Sequence, residues 1–271
     1  MAENIIIVLC EGPHDVAFLT KILKYNDFKS YENLGLKDYP IPMNSLMVQG
    51  VQKSNYQDLN LHMVRQTTLP SSILKKGVNS LFLYSMGGDS KKEIRQSLLK
   101  ELVSFLPQDG KIQILPADSV LNIVYFFDAD DKGISNRLHE VQQEIKEVVK
   151  IEDFENGGVT SYLELKIGGF IFSDDAGFGK LEDILLPLMQ LENEDIFENA
   201  ESFYKNFENG ERGKQRNKDI KKSTIGIAGQ LQNSGATNTV TIKHSDYLSQ
   251  DKIEKDRNCQ SIISFFQNFT A

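Results

Sequence analysis

The segment IIIVLCEGPHD, residues 5–15, decides the fold. It begins with five consecutive apolar residues, mostly β-branched, which suit a strand that is buried on both faces of a parallel sheet. Gly12 and Pro13 then form a turn, and apolar residues return at helical spacing between His14 and Leu23. The order strand, tight turn, helix predicts the opening βα unit of an α/β fold.

The same alternation continues along the chain. Strands are predicted at residues 80–84, 121–127 and 169–172, and helices at about 91–105, 134–149 and 181–191. Strands that alternate with helices predict a mostly parallel sheet flanked by helices. Residues 26–76 interrupt the pattern, and we expect an irregular insertion there with a short strand and one helix.

The character of the chain changes near residue 190. We therefore expect an α/β domain over residues 1–190 and a smaller, mixed C-terminal extension over 191–271, either packed on the same domain or separate. The extension contains an acidic stretch typical of a helix (192–201), a basic stretch (214–222), a short strand (239–242) and a terminal helix (259–269). The basic stretch is interpreted as a solvated loop rather than a phosphate-binding segment.

Composition limits the classes of function. With 271 residues, 40% of them hydrophobic, the chain can bury a sizeable core. A net charge of −8 argues against a protein that grips nucleic acid over its whole surface, but not against an enzyme whose carboxylates hold metal ions. No apolar run approaches the ~20 residues that span a bilayer, and the first residues lack the basic flank of a signal peptide. Two cysteines exclude a disulfide framework and a four-cysteine zinc site, so a cytoplasmic location is expected.

Acidic residues follow two of the predicted strands. Glu11 comes after the first strand, Asp128 and Asp130 come after 121–127, and Gly87–Gly88 follows the strand between them. The carboxyl ends of parallel strands gather at one edge of a sheet. Residues two apart on a strand point the same way, so Asp128 and Asp130 would face one ion if strand geometry continued. Carboxylates of this kind suit Mg²⁺, which can bridge them to a phosphodiester; the alternative is a solvated turn that caps the next helix.

The ordered context resembles a known family. Residues 5–15 resemble the first motif of TOPRIM domains, and VYFFDADDKG at 124–133 resembles the second, in which Asp-x-Asp ends a hydrophobic strand. SMGG at 85–88 resembles the turn between them. GKLEDIL at 179–185 is similar to the downstream Leu-Glu segment of the overcoming-lysogenization-defect nucleases, and free-standing uncharacterised TOPRIM-like proteins are similar in length. The resemblance covers roughly residues 1–190.

This resemblance implies a Rossmann-like TOPRIM fold and Mg²⁺- or Mn²⁺-dependent phosphoester hydrolysis or transfer on DNA or RNA, with a nuclease as the leading candidate. It implies Glu11 as a general acid/base or metal-site residue. Asp128 and Asp130 would be metal ligands, with Glu182 and Asp15 as supporting or second-metal ligands.

Substrate contacts are expected from the same resemblance and from turn chemistry. Gly87 and Gly88 would form an anion-binding turn, with a plain strand-to-helix connection as the alternative. Lys132 would contact substrate, and Lys243 would be the late basic residue near the scissile phosphate. His14 and His244 are interpreted as non-ligands, and Cys10 as a core residue.

The chain also departs from its relatives. It has only two cysteines where a primase should bring a zinc module, too few residues for a topoisomerase gate and no Gly-x-x-x-x-Gly-Lys-Ser/Thr loop. A nuclease would therefore act alone or with an ATPase on another chain. The alternative from another class is a catalytically silent metal-, nucleotide- or nucleic-acid-binding regulatory protein, or a subunit of a DNA-processing or defence complex. The oligomeric state, a homo-oligomer included, stays open.

Overall fold

A computed structural model describes residues 3–52, 69–88, 91–107, 115–116, 118–207 and 219–270. The strands are β1 (Asn4–Cys10), β2 (Lys29–Ser30), β3 (Ser72–Lys76), β4 (Asn79–Ser85), β5 (Val120–Asp128), β6 (Val159–Tyr162) and β7 (Leu165–Phe172). The helices are α1 (Pro13–Tyr25), α2 (Met43–Gln52), α3 (Lys92–Ser104), α4 (Ile134–Lys146), α5 (Leu181–Gln190), α6 (Glu194–Phe207), α7 (Ile220–Gln232), α8 (Asn238–His244), α9 (Gln250–Lys255) and α10 (Arg257–Thr270), with a 3-10 turn at Leu36–Asp38.

The strands form one mixed sheet in the order β2-β3-β4-β1-β5-β7-β6. The four strands β4, β1, β5 and β7 run parallel, and β3 and β6 run antiparallel to them; the short edge strand β2 pairs antiparallel with β3. The predicted α/β class is confirmed, with the antiparallel edges as the difference from a mostly parallel sheet. Cys10 pairs with Ser85 on one side and with Phe126 on the other, so β4, β1 and β5 end side by side.

Helices bury both faces of the sheet, which explains the continuous apolar run of β1. Ile6 and Val8 face one core with α1, α5 and the C-terminal helices, whereas Ile5 and Ile7 face the other core with α2, α3 and α4. The residues after 190 share the first core. The ring of Phe266, for example, stacks on Phe126 with a centroid distance of 5.4 Å.

One local prediction was wrong. Residues 239–242 lie in helix α8 rather than in a strand, because the Thr237 side chain caps the helix by accepting a hydrogen bond from the backbone N–H of Val240. This cap outweighs the strand preference of Thr239, Val240 and Thr241. The insertion at 26–76 was expected to hold a short strand and one helix; its described part holds helix α2, which includes Leu46–Val48, and the two edge strands β2 and β3. Residues 214–218 of the basic stretch lie outside the described residues. In the described ranges, every helix is too short or too polar to cross a membrane.

Candidate functional site

The Glu-Gly turn after β1 is fixed from both sides by backbone hydrogen bonds. The N–H of Glu11 donates to the carbonyl of Phe126 at 3.1 Å, and the N–H of Gly87 donates to the carbonyl of Glu11 at 2.9 Å. A Cβ atom at position 87 would lie 2.0 Å from the Cα of Glu11, so only glycine permits this close approach. Gly87 therefore positions the turn that bears Glu11. This structural role is separate from the anion-binding role predicted for Gly87, which stays a prediction.

Asp15 lies in the first turn of α1 and points back at the same turn. Its Oδ2 accepts a hydrogen bond from the N–H of Gly12 at 2.5 Å, and the residue is 4% exposed. Burial raises the pKa of Asp15 to about 7; the Gly12 hydrogen bond opposes this, and the charges of Glu11 and Glu182 add to it. Asp15 is thus both a helix cap and a buried carboxyl beside two others.

Asp128 ends β5 and joins it to the start of α5. Its Oδ1 accepts a hydrogen bond from the N–H of Leu181 at 2.8 Å. Burial, followed by the charges of Asp15 and Glu11, raises the pKa of Asp128 to about 8. Asp128 therefore resists ionisation at neutral pH, chiefly because it is buried and further because carboxylates surround it.

Asp130 does not continue the strand, so the expected same-side geometry of Asp128 and Asp130 was wrong. Strand β5 ends at Asp128, and Asp130 has φ +48°, in the left-handed region. Asp130 instead forms a two-bond bridge with Gly179, with N···O distances of 2.7 and 2.9 Å. Burial and the charge of Glu11 raise the pKa of Asp130, so its carboxyl still lies within the electrostatic reach of Glu11.

Glu182, in the first turn of α5, is 3% exposed and has two cationic or polar partners. Its Oε1 lies 2.9 Å from Nδ1 of His14 and 3.4 Å from Nζ of Lys222. Burial raises the pKa of Glu182, but the His14 hydrogen bond and the Lys222 charge outweigh it and leave the pKa below its usual value. His14 therefore lies at the site with Glu182 and Asp15, although the sequence analysis included only those two carboxylates. Its position next to Asp15 in the first turn of α1 was the one sequence feature that could have indicated this.

Arg137 of α4 is the second residue that sequence reasoning missed. Its Nη2 lies 3.1 Å from Oε2 of Glu11, and the same oxygen accepts a hydrogen bond from the N–H of Asp128 at 3.1 Å. Arg137 also reaches Oε2 of Glu140 at 3.1 Å. Helical spacing places position 137 one turn after Gly133, but nothing in the sequence shows that its side chain turns towards β1.

We call Glu11, Asp15, Asp128, Asp130 and Glu182 the carboxylate cluster. Arg137 borders the cluster on the α4 side and Lys222 borders it on the α7 side. Among the described residues, the basic and histidine side chains that contact the cluster carboxylates belong to Arg137, His14 and Lys222. Lys243, on α8, lies beside His244 and influences the pKa of that residue. Lys132 pairs with Glu140 at 2.8 Å, and the carbonyl of Gly88 accepts a hydrogen bond from Arg95.

A second group of ion pairs covers the start of α5. Asp183 accepts a hydrogen bond from the N–H of Lys180 at 2.7 Å and pairs with Lys221, while Nζ of Lys180 lies 3.3 Å from Oδ2 of Asp219. The described end of the basic stretch, Lys221 and Lys222, thus pairs with acidic residues of α5 instead of forming a fully solvated loop.

The carboxylate cluster suits a hard divalent cation by its chemistry, although it is not a preformed site. Within the described ranges, no three His, Cys, Asp or Glu side chains stand ready to hold a metal ion. The donors are nevertheless carboxylate oxygens, which Mg²⁺ and Mn²⁺ prefer. Three of them, on Asp15, Asp128 and Glu182, are nearly buried and would gain from a neutralising charge.

The chain belongs to the DUF3226 family, whose description is protein of unknown function and which matches residues 5–271. A similar solved structure is that of the hypothetical protein PH0156 from Pyrococcus horikoshii OT3, with a TM-score of 0.54 and 15% identity over 98% of this chain and 95% of that one. At this identity the likeness concerns the fold alone. No curated protein matches the chain significantly.

Proposed function

We propose that this member of the DUF3226 family is a Mg²⁺-dependent phosphoesterase that acts on nucleic acid, most simply a nuclease. The observation behind the proposal is the burial of Asp15, Asp128 and Glu182 beside Glu11 where β1 and β5 end. Burying several carboxyls together is costly for stability, and such costs are typical of functional sites. The same strand ends are where parallel α/β sheets place ligands.

A TOPRIM-type arrangement is the finer fold that we propose. Its support is the placement of the two motifs on adjacent parallel strands, with Glu-Gly directly after β1 and Asp128 at the end of β5. Segment 179–185 reaches the same place, because the N–H of Leu181 donates to Asp128. Three segments that are distant in sequence therefore meet at one edge of the sheet.

Asp128, Glu182 and Asp15 would hold the ion. When bound, Mg²⁺ would supply a polarised phosphoryl oxygen and an activated water. The hydrogen bonds found among the described residues use one oxygen of Asp128, Oδ1, and one oxygen of Asp15, Oδ2. The second oxygen of each can therefore turn towards a cation.

The remaining residues would orient the substrate and move a proton. Arg137 and the N–H of Asp128 hold Oε2 of Glu11, which fixes the carboxylate in one orientation as a general acid/base. Lys222, whose side chain is 42% exposed, can bind a non-bridging phosphate oxygen from the solvent side of the cluster.

Nuclease assays with matched variants test the proposal. Supercoiled plasmid, single-stranded DNA and RNA are incubated with the protein in EDTA, Mg²⁺ or Mn²⁺. We expect metal-dependent cleavage of at least one substrate, abolished in Asp128→Asn and Glu11→Gln and retained in Asp251→Asn, which makes the same neutralisation in an exposed ion pair with Lys255. Cleavage that persists in Asp128→Asn, or that does not require metal, would overturn the proposal.

The ion pair between Glu11 and Arg137 favours a second candidate, a metal- or nucleotide-binding protein without turnover, because the pair neutralises the proposed acid/base. Calorimetric titration with Mn²⁺ separates the two. Binding that is lost in Asp128→Asn, together with no cleavage of any of the three substrates, supports the silent protein. Metal-dependent cleavage excludes it.

A further inference from the structure

A cavity of about 350 Å³ lies between α3 and α4, and Arg137, which pairs with Glu11 of the carboxylate cluster, is part of its wall. Its wall contains four basic side chains, Lys92, Arg95, Lys132 and Arg137, and two carboxylates, Glu140 and Glu144. The wall itself therefore carries two more basic than acidic side chains, in a protein whose net charge is −8. Two of these basic groups also pair with carboxylates outside the wall, Lys92 with Glu147 and Arg137 with Glu11, so an anionic ligand would replace a carboxylate as the partner of a basic group.

The two arginines form the rigid part of the cavity. Arg95 is 4% exposed and is held by both oxygens of Glu144, at 2.8 and 2.5 Å, and by the carbonyls of Met86 and Gly88. The guanidinium carbons of Arg95 and Arg137 lie 5.1 and 5.3 Å from the centroid of the Phe127 ring. Because protein acceptors hold both guanidinium groups, they fix positive charge in the wall rather than turning to a ligand.

The two lysines form the adaptable part. Lys92 pairs with Glu147 and Lys132 pairs with Glu140, and the side chains of both lysines are 42% exposed. Exposed ion pairs of this kind contribute little stability, so either ammonium group can turn to a ligand at low cost.

We propose that this cavity binds the phosphate of a single nucleotide unit, either a free nucleotide or the end of a nucleic-acid strand. Its volume is at the lower end of the range for small-molecule sites, which admits one nucleotide and excludes a duplex. Phe127 and Val141 give the wall an apolar part for the sugar and base. Arg137 lines the cavity and pairs with Glu11, so a phosphate bound here lies one side chain away from the carboxylate cluster. A role for this cavity in nucleic-acid cleavage rests on the proposed function. Binding of the phosphate in the cavity requires no metal and can be measured separately.

Binding measurements in EDTA test the cavity separately from cleavage. The probes are inorganic phosphate, 5′-AMP, and a fluorescently labelled single-stranded oligonucleotide with either a 5′-phosphate or a 5′-hydroxyl. The cavity variant is Lys92→Gln with Lys132→Gln. Its matched control is Lys146→Gln with Lys255→Gln, which removes two lysines from exposed ion pairs outside the cavity wall.

We expect at least one phosphate-bearing probe to bind the wild-type protein and to bind the cavity variant about tenfold more weakly, with the control unchanged. Stronger binding of 5′-AMP identifies a free nucleotide, and stronger binding of the 5′-phosphorylated strand than of its 5′-hydroxyl form identifies a strand end. No binding of any probe, or equal binding by the cavity variant, overturns the inference even if cleavage occurs. Loss of cleavage in the nuclease assay, with probe binding intact, overturns only the proposed function.

Discussion

Nη2 of Arg137 lies 3.1 Å from Oε2 of Glu11, and this ion pair joins α4 to the turn after β1. The arginine is 7% exposed and its partner's side chain is 26% exposed, so the pair is only partly screened by solvent. Besides aligning Glu11, the guanidinium lowers the pKa of Asp130 and so offsets part of the rise caused by burial and by Glu11. Stability and activity should therefore both depend on it.

The change Arg137→Met should lower the free energy of unfolding by about 1–3 kcal/mol, because Glu11 and Glu140 lose a charged partner. The measurement is urea unfolding followed by circular dichroism, since the chain has no tryptophan. In the double variant with Glu11→Gln the loss should be smaller than the sum of the two single losses. Arg257→Met, which removes an arginine that is 81% exposed in its ion pair, should change stability little; strictly additive losses in the double variant would contradict the coupling.

Stability without metal should fall as the pH rises towards 8. The pKa values of Asp15 and Asp128 are raised to about 7 and about 8, from usual values near 3.8. Between about pH 4 and pH 8 the folded protein therefore retains protons that the unfolded chain has released, so the free energy of unfolding decreases with pH. The stabilisation is complete below about pH 4 and is lost as the pH passes through the folded-state pKa values. We expect a loss on the order of 1–3 kcal/mol by about pH 8.5, measured as Tm in EDTA.

The isosteric variant Asp128→Asn is the critical control for this pH dependence. It cannot ionise, so its Tm should vary less between pH 6 and pH 8.5 than that of the wild type, while Asp251→Asn should keep the full variation. A wild-type Tm that rises across this range would contradict the raised pKa values of Asp15 and Asp128.

Mg²⁺ should stabilise the folded protein more at alkaline pH than at acid pH. The ion binds deprotonated carboxylates, and below about pH 7 it must displace the protons that Asp15 and Asp128 retain. At a fixed Mg²⁺ concentration the rise in Tm should therefore be larger at pH 8.5 than at pH 6. Asp128→Asn should lose most of the rise at both pH values. An equal rise in that variant would place the ion elsewhere.

Gly87→Ala should be severely destabilising, whereas Gly12→Ala should be tolerated. A Cβ atom on Gly87 would meet the backbone of Glu11 at 2.0 Å, and backbone cannot move aside as the end of a side chain can. A Cβ atom on Gly12 would meet Oδ2 of Asp15 at 3.7 Å, an ordinary contact. We expect a loss of about 2–4 kcal/mol for Gly87→Ala and about 1 kcal/mol or less for Gly12→Ala, by urea unfolding. Similar losses in both would show that the close approach of β4 and β1 is not the cause.

The sequence predicted local structure correctly where residues adjacent in the chain determine that structure. The apolar run at 5–9 and the Glu-Gly turn predict a buried parallel strand followed by a helix, and the structure confirms this βα unit because neighbouring residues alone determine it. The carbonyl of Gly179 bonds to the N–H of Asp130, a contact between residues about fifty positions apart that bends the chain out of strand geometry. The contacts of His14, Arg137 and Lys222 with the cluster carboxylates were likewise not predictable, because they too join residues distant in sequence. A long side chain can turn towards any of several neighbours, and only the packed helices determine which one it reaches.

Lys222, rather than Lys243, should be the lysine on which cleavage depends. Nζ of Lys222 lies 3.4 Å from Oε1 of Glu182, whereas Lys243 lies on α8 beside His244. Lys222→Gln should therefore reduce the cleavage rate about 10- to 100-fold, the range for loss of one electrostatic contact to a reacting phosphate. The same substitution should also reduce the slope of log K against log salt concentration for nucleic-acid binding by about one, the contribution of a single phosphate contact. Lys243→Gln and Lys255→Gln should retain rates within about twofold of wild type. Lys243 lies beside His244, whose pKa Lys21 and Lys24 near the C-terminal end of α1 also lower, and Lys255 pairs with Asp251 at the surface. A large loss in Lys243→Gln with normal rates in Lys222→Gln would instead restore the role that the family resemblance gave to Lys243.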